Sequence, residues 1–138
     1  MVNFEYADHY GVDDLKKIVK VLRGPGGCPW DREQTHGSLK KCMQDEVNEV
    51  FEGIDIYEQT GDGENLCEEL GDVLMNVLLQ CQIAKEEGIF TLEDVIQGIS
   101  EKMIRRHPHV FGNGTASTPG EAALTWAEIK RMEREGKL

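Results

Sequence analysis

Residues 64–87 read ENLCEELGDVLMNVLLQCQIAKEE, and this stretch decides the fold. From Leu70 to Ala84 the residues are apolar nearly all round a helix at ~100° per residue, the pattern of a buried helix. Glu69, Asp72, Asn76 and Gln80 nevertheless fall together in one narrow polar strip. Gly88 follows at the position where a left-handed glycine closes a helix. A long buried helix that carries a polar strip calls for other helices around it and for a reason to keep the strip, because unpaired buried carboxylates are costly.

The preceding segment supplies the first neighbour. A helix is predicted from about Ser38 to Tyr57, with Leu39, Met43, Val50 and Ile54 as its apolar stripe. Glu46 lies on the edge of that stripe and Glu49 just beyond it, while Asp45, Glu52 and Asp55 fall on the opposite, solvated side. Gly53 projects between Glu46 and Glu49 and is expected to leave room beside them. Gly61-Asp-Gly63 makes the turn between the two helices. Packed antiparallel, they aim Glu46-x-x-Glu49 and Glu69-x-x-Asp72 at one point, since residues three apart share a helix face.

Four carboxylates held together repel and raise one another's pKa unless a positive group joins them. Lys40 and Lys41 point away from Glu46. A di-iron carboxylate site requires Glu-x-x-His pairs, and no histidine stands at those positions. The donor set therefore suits a hard cation, Mg²⁺ or Mn²⁺, which in proteins typically also holds a substrate phosphate.

Outward from this pair the chain stays helical. Leu15, Ile18, Val19 and Leu22 follow the i, i+3, i+4, i+7 rule. Arg23-Gly-Pro-Gly-Gly-Cys-Pro-Trp30 is expected to break regular structure. Thr91 begins a helix that runs to about Arg106, with Asp94 three residues on. Thr118-Pro119-Gly120-Glu121 starts the last helix with a cap, a proline and an acid. No strand signal competes. The expected architecture is all-α, a single domain over residues 1–138 with a bundle of about four main helices.

Lys102, Arg105 and Arg106 end the helix before His107-Pro108-His109. Lys102 and Arg106 project near its apolar side and could reach a phosphate chain. Cations at a helix C-terminus also complement the dipole. Trp126 and Lys130 share a face, so Trp126 could stack on a base, and core packing explains it equally. His107 and His109 suit the capping of a helix end.

The 138 residues carry a formal charge of −11 and a pI of about 4.8. Such a chain lacks the basic surface of a nucleic-acid or anionic-membrane binder. No segment reaches the ~18 apolar residues of a membrane span, and the start lacks the pattern of a signal peptide. Cys28, Cys42, Cys67 and Cys81 include no C-x-x-C pair, which points to reduced thiols in a cytoplasmic protein.

Four segments, Gly27-Cys-Pro-Trp-Asp-Arg-Glu-Gln-Thr35, Asp45-Glu-Val-Asn-Glu49, Glu68-Glu-Leu-Gly-Asp72 and Arg105-Arg-His-Pro-His-Val-Phe111, stand in an order that resembles the MazG nucleoside triphosphate pyrophosphohydrolases. The resemblance covers about Leu15 to Glu133. It implies an all-α fold that forms a homodimer or a higher homo-oligomer, and hydrolysis of an NTP or dNTP to the monophosphate and pyrophosphate with Mg²⁺. It implies Glu46, Glu49, Glu69 and Asp72 as metal ligands and catalytic residues. By position Lys102, Arg106, Trp126 and Lys130 look like nucleotide contacts, and Asn76 stands beside them as a candidate. Longer members carry two such modules, so a lone one supplies its own helices or borrows them from a partner subunit. Two alternatives stand: a narrower substrate, such as phosphoribosyl-ATP or one modified dNTP, and a non-catalytic helical module whose acidic strip pairs with a basic partner.

Overall fold

The computed structural model describes residues 2–138, and all regular structure among them is helical. Seven helices follow one another: α1 Val12–Arg23, α2 Pro29–Glu33, α3 Leu39–Thr60, α4 Glu64–Glu86, α5 Leu92–Arg106, α6 Pro108–Phe111 and α7 Pro119–Arg134. The all-α expectation holds. Five helices run twelve residues or longer, and two short ones occupy segments read as loops. The chain divides into two compact units, one ending at Leu92 and the other spanning Glu93–Leu138.

In the first unit α3 packs along α4, and α1 packs against α4 and α2. The core is small. Val19 of α1, Leu39 of α3 and Leu78, Leu79 and Ile83 of α4 are buried together, with Leu15, Met75 and Leu92 against them. α4 ends as its sequence dictates. Gly88 has φ +72°, Ile89 N–H donates to Ala84 O at 2.9 Å and Gly88 N–H to Lys85 O at 3.1 Å. This pair of bonds satisfies carbonyls that the helix end leaves open.

One expectation about α4 is corrected. Its apolar surface is buried from Asn76 to Ala84, but Leu70 is 51% and Leu74 47% exposed. A helix that is apolar all round needs neighbours on every side, and within this unit the N-terminal half of α4 lacks them.

The segment after α1 is also more ordered than its composition implies. Cys28 N–H donates to Leu22 O at 2.8 Å, folding the turn back on the end of α1. A Cβ on Gly27 would stand 2.3 Å from Leu22 O and 2.4 Å from Val21 O, so glycine is required there. Pro29 then becomes the first residue of α2, where its missing N–H costs nothing. Arg23 locks this corner. Its Nε and Nη2 donate to Glu86 at 2.9 and 3.0 Å, and its Nη1 donates to Asp31 O at 2.6 Å and Gln34 O at 3.0 Å. The Arg23 guanidinium holds the Glu86 carboxyl below its ordinary pKa.

The second unit contains most of α5 together with α6 and α7. Thr118 Oγ1 accepts from Glu121 N–H at 3.2 Å, the cap read from the sequence. Arg105 and Arg106 of α5 reach Glu133 of α7 at 2.6 and 2.9 Å. Ile129 is buried.

α3 and α4 lie close together at Gly53, which is buried. A Cβ there would meet Asn65 Oδ1 and Leu66 Cα at 3.0 Å and Leu66 N at 3.2 Å. The space beside Gly53 is thus taken by the α4 backbone and is not open, contrary to the reading of the wheel. Gly53→Val should therefore push the first turn of α4 away. It is expected to cost about 2 kcal/mol by overpacking, measured by denaturant unfolding, and to weaken divalent-cation binding in the same sample.

Candidate metal and phosphate site

Glu46 and Glu49 stand on α3, two turns and one turn before Gly53. Glu69 and Asp72 stand on α4, one and two turns after Leu66. The contact between Gly53 and Leu66 therefore sets the two acidic pairs opposite each other. One oxygen from each of the four carboxylates lies within 4.8 Å of all the others. Glu46 and Glu69 are half-buried, and Glu49 and Asp72 are exposed.

The electrostatics follow from that crowding. Glu69 shares a hydrogen bond with Glu49, which needs a proton on one of the two. That bond, loss of hydration and the charges of Glu49 and Asp72 raise its pKa from 4.5 to about 7. Burial raises Glu46 as well, helped by Asp72 and Glu49. The proton stands where a cation would otherwise neutralise the group. Among the described residues no basic side chain does so: Lys41, the nearest in sequence, pairs with Asp45 at 2.8 Å.

The residues fit a hard divalent ion. Oε2 of Glu69 is buried without a hydrogen-bond partner, and so is Oδ1 of Asn76, one turn beyond Asp72. Asn76 is only 4% exposed. Unpaired buried oxygens are rare, because each carries a desolvation cost. An all-oxygen set of carboxylates with a nearby amide is the chemistry that Mg²⁺ and Mn²⁺ select.

The remaining candidates lie in the second unit. Arg106 bonds Glu133 through Nη2 and lies 5.1 Å from the Trp126 ring centroid. Its guanidinium, expected at a phosphate, is thus engaged by a carboxylate and an aromatic face. Trp126 is half-buried and also meets the His107 ring edge-on at 5.2 Å. His107 Nδ1 donates to Met103 O at 2.6 Å and so closes the end of α5. Lys102 and Lys130 are exposed. Arg105 and Arg106 hold the Glu133 carboxyl down at about 2. The partnership of Arg106 with Glu133, 27 residues apart, has no signal in local spacing.

The sequence profile of the MazG nucleotide pyrophosphohydrolase domain matches residues 34–111. A Bacillus subtilis protein named as the uncharacterized protein YabN is 50% identical over 120 residues, 87% of this chain and 24% of that protein. The nucleoside triphosphate pyrophosphohydrolase/pyrophosphatase MazG of Thermotoga maritima is 48% identical over 91% of this chain and 46% of its own length. The nucleoside triphosphate pyrophosphohydrolase of Escherichia coli K12 is 40% identical over 91% of this chain and 47% of its own length. The chain thus spans between a quarter and a half of these relatives. Among solved structures, a mazG-related protein from Thermotoga maritima superposes with a TM-score of 0.68 at 32% identity, covering 87% of this chain and 99% of that one.

Two pH responses are expected. The raised pKa of Glu69 favours the folded state most below 4.5, and that contribution is lost as pH rises through about 7. The metal-free chain should lose stability over that window, and Mg²⁺ affinity should climb across it because the ion displaces the proton. Glu69→Gln should abolish both trends in melts and calorimetric titrations at pH 5 to 8. The depressed pKa of Glu133 acts oppositely: its contribution is present above 4.5 and lost as pH falls toward about 2. Glu133→Gln should flatten the acid limb of the stability curve, measured by circular dichroism.

Proposed function

The chain belongs to the MazG nucleotide pyrophosphohydrolase domain family, and on that premise we propose that it hydrolyses nucleoside triphosphates or their deoxy forms to the monophosphate and pyrophosphate. The observation that carries this reading is the convergence of Glu46, Glu49, Glu69 and Asp72 within 4.8 Å. These residues hold Mg²⁺, or Mn²⁺ in its place. Bound there, the ion supplies positive charge to phosphate oxygens whose negative charge grows toward the leaving group.

The chain's own residues do the rest. One carboxylate, Glu49 or Glu46, orients the attacking water and takes its proton. Water attacks the α-phosphorus, the bond from that phosphorus to the bridging oxygen breaks, and pyrophosphate departs with the electron pair. The charge of the four carboxylates restricts the site to a substrate that arrives with its cation, which disfavours a bare anion. Asn76 reaches a substrate oxygen or a water from the same strip. Lys102, Arg106, Trp126 and Lys130 bind the phosphate chain and the base. For Arg106 this requires a ligand to compete with Glu133.

We assign the active form to a homodimer in which each chain is one catalytic module. In the first unit Phe51 is 57%, Tyr57 50% and Leu70 51% exposed, and in the second Ile96 is 47%, Ile99 48% and Ile104 53%. Apolar surface on this scale marks an interface. Four free thiols and the absence of a membrane-spanning helix among the described residues accord with a cytoplasmic enzyme.

The test is pyrophosphate release with Mg²⁺ across common and damaged NTPs and dNTPs. Turnover should require the metal, and Glu49→Gln should lower kcat by ~10²–10³ with helicity unchanged. A basic-partner-binding module without catalysis would release no pyrophosphate from any nucleotide. Activity of Glu49→Gln equal to the parent would overturn the site.

A further inference from the structure

Trp126, Lys130 and Glu133 stand at i, i+4 and i+7 on α7, so they share one face of that helix. The first two are candidate nucleotide contacts, and Glu133 continues their row by one turn. An acid in that row repels a phosphate unless it does something else there. The end of α5 meets the row. Arg106 places its guanidinium 5.1 Å from the centroid of the Trp126 ring and bonds Glu133. The bonds take one edge of the guanidinium: Nε donates to Glu133 Oε1 at 3.4 Å and Nη2 to Glu133 Oε2 at 2.9 Å. These are the two donors that a carboxylate meets as a fork. Among the described residues Nη1 meets no acceptor, so the edge formed by Nη1 and the second proton of Nη2 is left to donate.

One edge on Glu133 and one face toward Trp126 leave the Arg106 plane little freedom, and the side chain is only 14% exposed. Glu133 is itself held. Arg105 Nε donates to the same Oε1 at 2.6 Å, and the Glu133 side chain is 19% exposed. Arg105 also sets the sign of the cluster, because two guanidinium groups and one carboxylate leave one positive charge. Glu133 and a phosphate compete for the charge of Arg106, but Arg105 offsets that competition and the donors of the second edge are not contested.

We propose that Glu133 is a positioning residue for the phosphate chain: it fixes the Arg106 guanidinium by one edge so that the remaining edge forks onto phosphate oxygens. The inference rests on the pyrophosphohydrolase reading, in which Arg106 binds the phosphate chain, and adds the residue that aims it. A fork already ordered binds at less entropic cost than one that must be ordered by the ligand. Glu133 acts through Arg106 and touches no reacting atom.

The test titrates inorganic tripolyphosphate with Mg²⁺ into the full chain by calorimetry, and measures KM and kcat on each NTP that is turned over. Glu133→Gln should weaken tripolyphosphate about tenfold, the share of one hydrogen bond to a charged group. KM should rise by the same factor with kcat nearly unchanged, the mark of lost binding that ground and transition states share. Arg106→Lys has no fork to aim, so Glu133→Gln should cost no further affinity in that background, and the two losses should not add. Glu133→Asp keeps the charge but shortens the reach by one methylene, and its affinity should fall between the parent and Glu133→Gln. Thermal melts establish that each variant is folded at the titration temperature; where Glu133→Gln is not, Glu133→Asp carries the comparison in both backgrounds. A bridge that only ties α5 to α7 would lower the melting temperature and leave affinity and KM at the parent values in the folded variants, which would overturn this inference alone. Tighter binding would make Glu133 a competitor and overturn it as well. Absence of turnover by the parent on every nucleotide would overturn the pyrophosphohydrolase reading and this inference with it.

Discussion

The backbone contact between Gly53 and Leu66 is the constraint on which the site depends. A Cβ on Gly53 would stand 3.0 Å from Leu66 Cα, tighter than an ordinary side-chain contact, so the α4 backbone lies close against α3. Helices that approach this closely have one register, because a shift along either axis brings a side chain where none fits. The acidic pairs lie within two turns of that contact on both helices. Four like charges would drive these helices apart, yet the repulsion acts close to the point where packing resists it most. The outcome is a Glu69 carboxyl whose pKa is raised to about 7, in place of separation.

Around this pair the first unit is stiffened by charge more than by bulk. Its core is built around five buried side chains, and a core of that size supplies little rigidity by volume. Arg23 compensates at one end. Its five donors are planar and fixed, so one side chain satisfies a carboxylate on α4 and two carbonyls at the end of α2. This joins α1, α2 and α4 at the end of α4 remote from the turn at Gly61. The two ends of the acidic helix are therefore held by different means, a close backbone contact and a buried guanidinium, and the polar strip runs between them.

Much of this was legible in sequence, and what was not has definite physical causes. The 3.6-residue period and the terminating Gly88 placed α4 to within a residue, since both act locally. The spacing of the four acids was legible for the same reason. The α2 helix was not, because Pro29 reads as a breaker just after the glycine-rich run Gly24-Pro25-Gly26-Gly27. A five-residue helix is too short to show a period, and proline at the first position starts a helix. The wheel placed Gly53 between Glu46 and Glu49 correctly but carried no information about what fills the gap. The Glu133 partner of Arg106 and the His36 partner of Gln80 join residues far apart in sequence, so only the fold brings them together.

The burial of α4 is the most instructive of these differences. Hydrophobic pattern reports how much neighbour a helix needs, not where the neighbour comes from. Leu78, Leu79 and Ile83 find theirs within the chain, whereas Leu70 and Leu74 do not. These two flank Asp72 along the helix, on the half that carries the carboxylates. The least covered apolar surface and the most crowded charges thus occupy the same stretch of α4. Residues two apart point to opposite sides of a helix, so Leu70 and Leu74 face away from Asp72. This half of α4 thus carries its carboxylates on one side, against α3, and its uncovered apolar surface on the other, so a cation and an apolar neighbour would satisfy the same stretch from different faces.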